Sequence, residues 1–332
     1  MEFNLHGSAR TIARALERAR AAEAAGFDGL FFADSQLNSL DPFQVLALCA
    51  TETRRLRLGT AVSNMVYRDP SVLANSAATV NEISQGRVIL GLGTGDGPVY
   101  SLGRSATRLD AFEQGLRTIR DLVNGRPISV PRGKERPEGK VTLRVGKLPV
   151  PIYISAEGPR TLRVAGRVAD GVILGSGFDL KVLDWAREQI AVGAKEAGRD
   201  PSEIDIMPAG MICVDDDGNK ARSLVRSRLA NRAHHNFRFT METVPPEEVG
   251  GVKRFMAGFD ISKPLEERID PNLVTDYLIR RFTIAGTPEE GARRVRELAA
   301  TGVRRLLLTP PEAIYNQVLA AWGKHIIPHI DA

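Results

Sequence analysis

Short apolar runs alternate along this chain with longer segments in which apolar residues recur every three or four positions. The first pattern is typical of buried strands and the second of amphipathic helices. Strands are predicted at residues 2–5, 29–34, 56–62, 87–92, 151–155, 171–174, 204–214 and 304–308. Helices are predicted at residues 8–25, 42–52, 70–83, 107–123, 159–168, 180–197, 219–232, from 287 onward, and at 311–322.

A strand followed by a helix, repeated along the whole chain, favours a parallel sheet, because each helix returns the chain to the same edge. Eight such units close as an α/β fold of the (β/α)₈ TIM-barrel type. An open doubly wound sheet is the alternative, but it would usually carry a glycine fingerprint after its first strand, where this chain has His6-Gly7. We therefore expect one barrel domain over residues 1–332.

Two segments interrupt the strand–helix rhythm. The first, at about 124–147, follows the fourth strand and its helix, and the alternation of Val141, Leu143 and Val145 predicts a small hairpin there. The second, at about 234–279, follows the seventh strand and begins with His234-His235. It is rich in Phe and Met, which is compatible with a substrate lid over the barrel mouth, with an oligomer contact, or with a packed excursion.

Charge and cysteine content narrow the classes of protein. Lys and Arg number 45 against 40 Asp and Glu, a net charge of +5, but the arginines are scattered among acidic residues. This favours a solvated basic surface over a nucleic-acid groove, and it suits an anionic ligand. Cys49 and Cys213 lack metal-site spacing, so we expect no metal. No signal or membrane-spanning segment is evident, which predicts a cytoplasmic protein without a membrane partner.

In a (β/α)₈ barrel the active site lies at the carboxyl ends of the strands. The residues that follow the predicted strands are therefore the candidates for function. They are His6, Asp34-Ser35-Gln36, Ser63-Asn64-Met65, Gly93-Thr94-Gly95-Asp96, Ser155-Ala156-Glu157-Gly158 and Gly175-Ser176-Gly177.

Two adjacent strand ends have the features of a phosphate site. Ser155 to Gly158 opens a helix directly after a strand, and the free N–H groups at a helix start attract anions. Gly175-Ser176-Gly177 adds a second small loop with a hydroxyl. Alone, Ser155 is better explained as a helix cap and the glycines as turns. Together, the two segments favour phosphate binding.

The glycine-rich segment from Gly91 to Gly97 follows the fourth strand and does not open a βαβ unit, so a dinucleotide fingerprint is rejected. Glycine permits the backbone to approach a flat ring system closely, which is the interpretation we prefer. A tight strand-to-helix turn is the alternative.

Six motifs in order resemble those of the bacterial-luciferase-like family of flavin- and F420-dependent oxidoreductases, nearest its methylenetetrahydromethanopterin-reductase-like branch. The resemblance covers nearly the whole chain. The motifs are Ala22 to Asp28 with Phe31 to Asp34, Gly59 to Val62 with Arg68-Asp69-Pro70, Ser84 to Arg87 with Gly91 to Asp96, Ser155 to Pro159, Ala165 to Gly171, and Gly286 to Glu290.

The resemblance implies a flavin or deazaflavin ring across the barrel mouth, against Ala61 and Val62, whose peptide bond is expected to be cis. Asp34, Ser63, Asn64, Gly95 and Asp96 would surround the ring edge. The cofactor phosphate would lie at the residues Ser155, Ala156, Glu157, Gly158, Gly175, Ser176 and Gly177.

Asp96 and Asp34 are the expected catalytic acids. Asp96 has an alternative role as a helix-start acid stabilised by the helix dipole. Some family members carry a histidine where this chain has Ser35, which weakens any proposal of histidine catalysis at that position.

Three functions follow from the resemblance. The first is hydride transfer between coenzyme F420 and a small organic substrate. The second is an FMN-dependent monooxygenase supplied by a partner flavin reductase, and the third is flavin binding without catalysis. The net positive charge of the chain suits the acidic oligoglutamate tail of F420, and so do the basic residues near strand ends, Arg104, Arg160 and Lys181. A homodimer or higher homo-oligomer is expected.

Overall fold

Twelve strands and thirteen α-helices are assigned in the computed structural model, which describes residues 1–131, 139–264 and 267–330. The strands are β1 Glu2–Gly7, β2 Gly29–Phe32, β3 Arg57–Thr60, β4 Ser63–Asn64, β5 Val88–Gly93, β6 Ile128–Ser129, β7 Lys140–Val141, β8 Ile152–Ala156, β9 Gly171–Leu174, β10 Asp205–Val214, β11 Thr283–Gly286 and β12 Arg305–Thr309. The helices are α1 Ile12–Ala24, α2 Pro42–Glu52, α3 Pro70–Ile83, α4 Gly97–Tyr100, α5 Leu109–Val123, α6 Pro159–Val168, α7 Leu180–Glu196, α8 Gly218–Arg226, α9 Ala230–Thr240, α10 Val249–Gly258, α11 Asp276–Phe282, α12 Pro288–Ala300 and α13 Tyr315–His325.

Eight parallel strands close into a ring in the order β1-β2-β3-β5-β8-β9-β10-β12, and β12 pairs again with β1. This confirms the predicted (β/α)₈ barrel. Alternate residues of each strand point inward or outward. The inward side chains form a separate apolar cluster inside the ring, made of Phe31, Ile89, Tyr153, Ile173, Met207 and Leu307. The outward ones pack against the surrounding helices.

The residues at the helix starts explain why several predicted helix boundaries agree with the structure. Asp41 and Asp69 each precede a proline, and their carboxylates accept hydrogen bonds from the first backbone N–H groups of α2 and α3. Acidic N-caps and proline at the first helical position are both favoured for this reason. The first helix was predicted too long: Thr11 caps it, and it begins at Ile12 rather than at residue 8.

The prediction that residues 234 to about 279 are irregular is wrong. Helix α9 runs through His234 and His235, and α10 and α11 follow within the same segment. The helix predicted at 219–232 is two helices, α8 and α9. Their apolar residues pack into a satellite core around Phe237, Phe255 and Phe282. Contacts within this core override the weak local pattern.

Strand β11 was missed by the sequence prediction. It pairs with the last four residues of β10, beyond the part of β10 that contacts β9, and Met211 is paired with both β11 and β12. Four residues beside a helix carry too little periodicity to be recognised. The predicted hairpin at 141–145 is present only as β6 paired with β7, and residues 132–138 of that segment lie outside the described residues.

No helix in the described ranges combines the length and the apolarity that crossing a bilayer requires.

Candidate active site

The floor of the barrel mouth is formed by the segment that follows β3. The Ala61–Val62 peptide bond is cis, as the family resemblance implied. Both side chains pack on the apolar cluster inside the ring, as does Ala209. The mouth therefore has a small, apolar floor directly above the core.

Asp34 lies beside this floor and is 7% exposed. One carboxylate oxygen accepts hydrogen bonds from Ser63 Oγ at 2.6 Å and from Arg68 Nε at 2.7 Å, and the other accepts from Arg68 Nη2 at 3.2 Å. Burial would lower the pKa of Arg68, but its bonds to Asp34 and Asp41 raise it above the ordinary value. Both carboxylate oxygens of Asp34 are thus held by the protein.

Ser63 and Asn64 are also buried. Ser63 donates to Asp34, and the side-chain oxygen of Asn64 accepts from the backbone N–H groups of Val66 and Tyr67 at 3.0 and 3.3 Å. These bonds fix the turn that leads from the floor toward Arg68. The two residues shape the floor, and their observed hydrogen bonds are to the protein itself.

Asp96 follows β5 and has an exposed side chain. Its backbone carbonyl starts α4, but its carboxylate makes no capping hydrogen bond. Instead, Oδ2 lies 3.7 Å from Nδ1 of His235, which comes from α9. The helix-cap alternative therefore has no hydrogen bond to support it, and the Asp96 carboxylate instead lies near an imidazole of α9.

The glycines before Asp96 are explained by the protein's own packing. A side chain at Gly91 would collide with the carbonyl of Thr60, and one at Gly93 would meet Val62 at 2.9 Å. Gly95 adopts a φ of +111°, which other residues rarely adopt. The tight-turn alternative is therefore sufficient here without a bound ring.

The predicted phosphate segments meet, as expected for adjacent strands β8 and β9. Glu157 is buried and forms an ion pair with Arg232. Asn236 Nδ2 donates to Glu157 Oε2 at 3.1 Å and to Ser176 Oγ at 2.9 Å. A side chain at Gly175 would collide with the Glu157 carboxylate, so any residue other than glycine would have to displace that carboxylate. We call Ser155–Gly158 together with Gly175–Gly177 the anion cradle, after the phosphate that the sequence predicts there.

One face of α9 covers this cradle. Arg232 contacts Glu157, His235 faces Asp96, Asn236 bonds to Ser176, and Phe239 lies about 3.4 Å from where a side chain at Gly158 would be. These four residues recur at intervals of three, one and three, which places them on one side of a helix. The sequence analysis counted His235 and the phenylalanines of the second interruption among possible lid residues, but it assigned no role to Arg232 or Asn236, although the spacing of the four residues was a usable signal.

His6, at the end of β1, is a further polar group at the mouth. Its Nδ1 lies 3.3 Å from Thr309 Oγ1, and its buried Nε2 has no hydrogen-bond partner among the residues that the structure describes. Burial, followed by the positive charge of Arg232, lowers the pKa of His6 to about 4. The imidazole is therefore neutral at neutral pH.

A groove of about 590 Å³ lies elsewhere, beside α7, α11 and α12, and its lining mixes acidic and basic side chains such as Asp179, Arg280 and Glu290. None of the strand-end candidates lines it. We place the site at the barrel mouth because the buried carboxylates of Asp34 and Glu157 and the imidazole of His6 follow strands that end there.

These features define a (β/α)₈-barrel protein with an apolar floor, an exposed acid and an anion cradle at its mouth. The family model described as luciferase-like monooxygenase matches residues 2–305. The chain belongs to this family.

Individual proteins give a more detailed comparison. A 5,10-methylenetetrahydromethanopterin reductase of Methanolobus tindarius is 32% identical over 88% of this chain and 89% of its own length. An F420-dependent glucose-6-phosphate dehydrogenase of Nakamurella multipartita is 28% identical, over 94% of this chain and 91% of its own. The solved structure of the F420-dependent tetrahydromethanopterin reductase of Methanopyrus kandleri superimposes with a TM-score of 0.76, at 23% identity and 99% coverage of both chains.

Proposed function

We propose that this protein is an F420-dependent oxidoreductase that transfers hydride to or from a small organic substrate. The observation that carries the proposal is the exposed carboxylate of Asp96, 3.7 Å from His235, at the edge of the apolar floor. The names of the relatives support the same chemistry, since two of them are described as F420-dependent.

The residues at the mouth fit such a cofactor. A neutral imidazole nitrogen of His6 lacks a partner in the described structure, and the anion cradle offers the start of α6 and an arginine. Ser155–Gly158 and Gly175–Gly177 would hold the phosphate, and Ala61 and Val62 would support the ring. When bound, the deazaflavin supplies the hydride chemistry, and the protein binds and orients it.

The roles of the two acids then differ. Asp96 would hold or release a proton at its Oδ2 atom, with His235 as its neighbour. Asp34, whose oxygens are bonded to Ser63 and Arg68, would act as a positioning residue that keeps the floor in place. This assigns proton transfer to the exposed acid and orientation to the buried one.

An FMN-dependent monooxygenase is the second candidate, because the matching family is described as luciferase-like monooxygenase. In that case a flavin reductase would supply the reduced cofactor. The two candidates share the cradle and floor and differ in the ligand that binds and in the use of oxygen.

Titrating the protein with F420 and with FMN, followed by fluorescence, separates the candidates. Tight binding of F420 with weak binding of FMN supports the first, and the reverse supports the second. Gly158→Asp, which adds a carboxylate to the cradle, should weaken binding by at least tenfold. Gly250→Asp is the matched control, because Gly250 is exposed on α10 and the nearest atom to an added side chain is Nη1 of Arg254 at 3.7 Å. Equal affinity of both variants would refute the cradle.

A small-molecule substrate, a cytoplasmic location and a homodimer or higher homo-oligomer complete the proposal. Analytical ultracentrifugation would test the oligomer directly, and a monomer at micromolar concentration would contradict it.

A further inference from the structure

The ion pair between Arg232 and Glu157 brings a charge into the anion cradle that the sequence did not indicate. Glu157 is 7% exposed, whereas the Arg232 side chain is 48% exposed. The Nη1 atom of Arg232 lies 2.9 Å from the position that a side chain at Gly175 would occupy. The guanidinium therefore lies against both segments of the cradle and still faces solvent.

Binding of a phosphate beside an unpaired Glu157 would be electrostatically unfavourable. A buried carboxylate repels a phosphate, and the low local polarity strengthens that repulsion. Arg232 neutralises the carboxylate and retains N–H groups that can donate to a second anion. Glu157 in turn fixes the direction of the guanidinium. In this pair, Arg232 would contact the phosphate, and Glu157 would hold Arg232 in position.

A second arginine adds positive charge behind the cradle. Arg281 is fully buried, and the described residues place no carboxylate within ion-pair distance of it. Its Nη2 atom donates to Asn236 Oδ1 at 3.0 Å, and Asn236 also bonds to Glu157 and Ser176. A buried positive charge therefore lies one hydrogen-bonded side chain, Asn236, away from Glu157 and Ser176.

We propose, building on the function proposed above, that Arg232 is a phosphate-binding residue that α9 delivers to the anion cradle. It discriminates between cofactors that carry a phosphate and their phosphate-free forms. Glu157 is the positioning residue for Arg232. Helix α9 is then part of the cofactor site as well as its cover.

The test compares ligands that differ only in the phosphate end. Wild-type protein and Arg232→Gln are titrated with F420, with its glutamate-free form, and with the phosphate-free deazaflavin, using fluorescence quenching. FMN and riboflavin form a parallel pair. Guanidinium–phosphate bonds are charge-assisted, so the variant should bind the phosphate-bearing ligands about 10- to 100-fold more weakly. Affinity for the phosphate-free ligands should change less than about twofold.

Two further variants separate this role from a structural one. Arg254→Gln removes the same charge from the exposed face of α10 and should leave every affinity within about twofold of the wild type. The double variant Arg232→Gln with Glu157→Gln removes the unpaired carboxylate as well, and should recover part of the lost affinity for FMN or F420. A disrupted α9 would show no such recovery.

Equal weakening of the phosphate-bearing and phosphate-free ligands would overturn the proposal, because Arg232 would then act on the ring or on folding. Unchanged affinity for all ligands would also overturn it. A wild-type protein that binds neither F420 nor FMN would instead overturn the proposed function. A wild type that prefers the phosphate-bearing ligands, with that preference kept in Arg232→Gln, would overturn only the role of Arg232.

Discussion

Replacement of Asp34 with Asn tests whether this buried acid orients the site or reacts in it. The side chain is 7% exposed and receives three hydrogen bonds, two of them from Arg68 and one from Ser63. Asparagine keeps one oxygen acceptor and places an N–H donor where the second was. That donor would face either the guanidinium or the hydroxyl, so at least one bond is lost.

The expected loss of stability follows from the kind of bond that is removed. A hydrogen bond to a charged group contributes about 1.5–3 kcal/mol, and removing one partner of a buried ion pair costs about 3–5 kcal/mol. Arg68 is 20% exposed and remains paired with Asp41 at 2.8 Å, which limits the loss. We therefore expect Asp34→Asn to lower the free energy of unfolding by about 2–4 kcal/mol.

Urea denaturation followed by circular dichroism measures this change. Glu52→Gln is the matched control, since it breaks an exposed ion pair with Arg20 and should cost less than about 1 kcal/mol. Cofactor affinity should fall in Asp34→Asn because the floor loses its support. An unchanged free energy of unfolding, together with a turnover reduced by about 100-fold, would refute the positioning role and indicate proton transfer by Asp34.

Three other outcomes are expected. Asp96→Asn and His235→Gln should each lower turnover by about 100-fold while F420 affinity stays within about threefold. Normal turnover in both variants would contradict a role of this pair in proton transfer. The pKa of His6 is lowered from 6.5 to about 4 in the folded protein, so the unfolded state binds a proton first as the pH falls. The free energy of unfolding of the wild type should therefore decrease between pH 6.5 and pH 4. In urea titrations, His6→Gln should show a decrease that is smaller by up to about 3 kcal/mol. Gly177→Ala should cost about 3 kcal/mol or more, because Gly177 has a φ of +84° and an added side chain would collide with the carbonyl of Arg281. Gly198→Ala, with a φ of +66° and open space, should cost only about 1 kcal/mol, and equal losses would contradict the collision.

The barrel could be predicted from the sequence because its strands and helices are each indicated by residues that are close together in the chain. Apolar runs, proline at the first helical position and acidic caps fixed helices such as Pro42–Glu52 and Pro70–Ile83 at the bounds that the structure shows. Strand order then followed from the rule that consecutive parallel units are neighbours. The same logic placed the candidate residues at one end of the barrel, and the family motifs gave the cis bond at Ala61–Val62.

What the sequence could not supply were the contacts between residues far apart in the chain. Arg232 reaches Glu157 across 75 positions, and His235 approaches Asp96 from a helix whose local pattern is weak. Helix α9 is stabilised by its satellite core, and that core forms only when α10 and α11 pack against it. The sequence thus determined the barrel and the end at which the site lies. Tertiary packing alone decided which side chains of the second interruption cover that end, because burial of distant apolar residues, rather than local periodicity, orients α9.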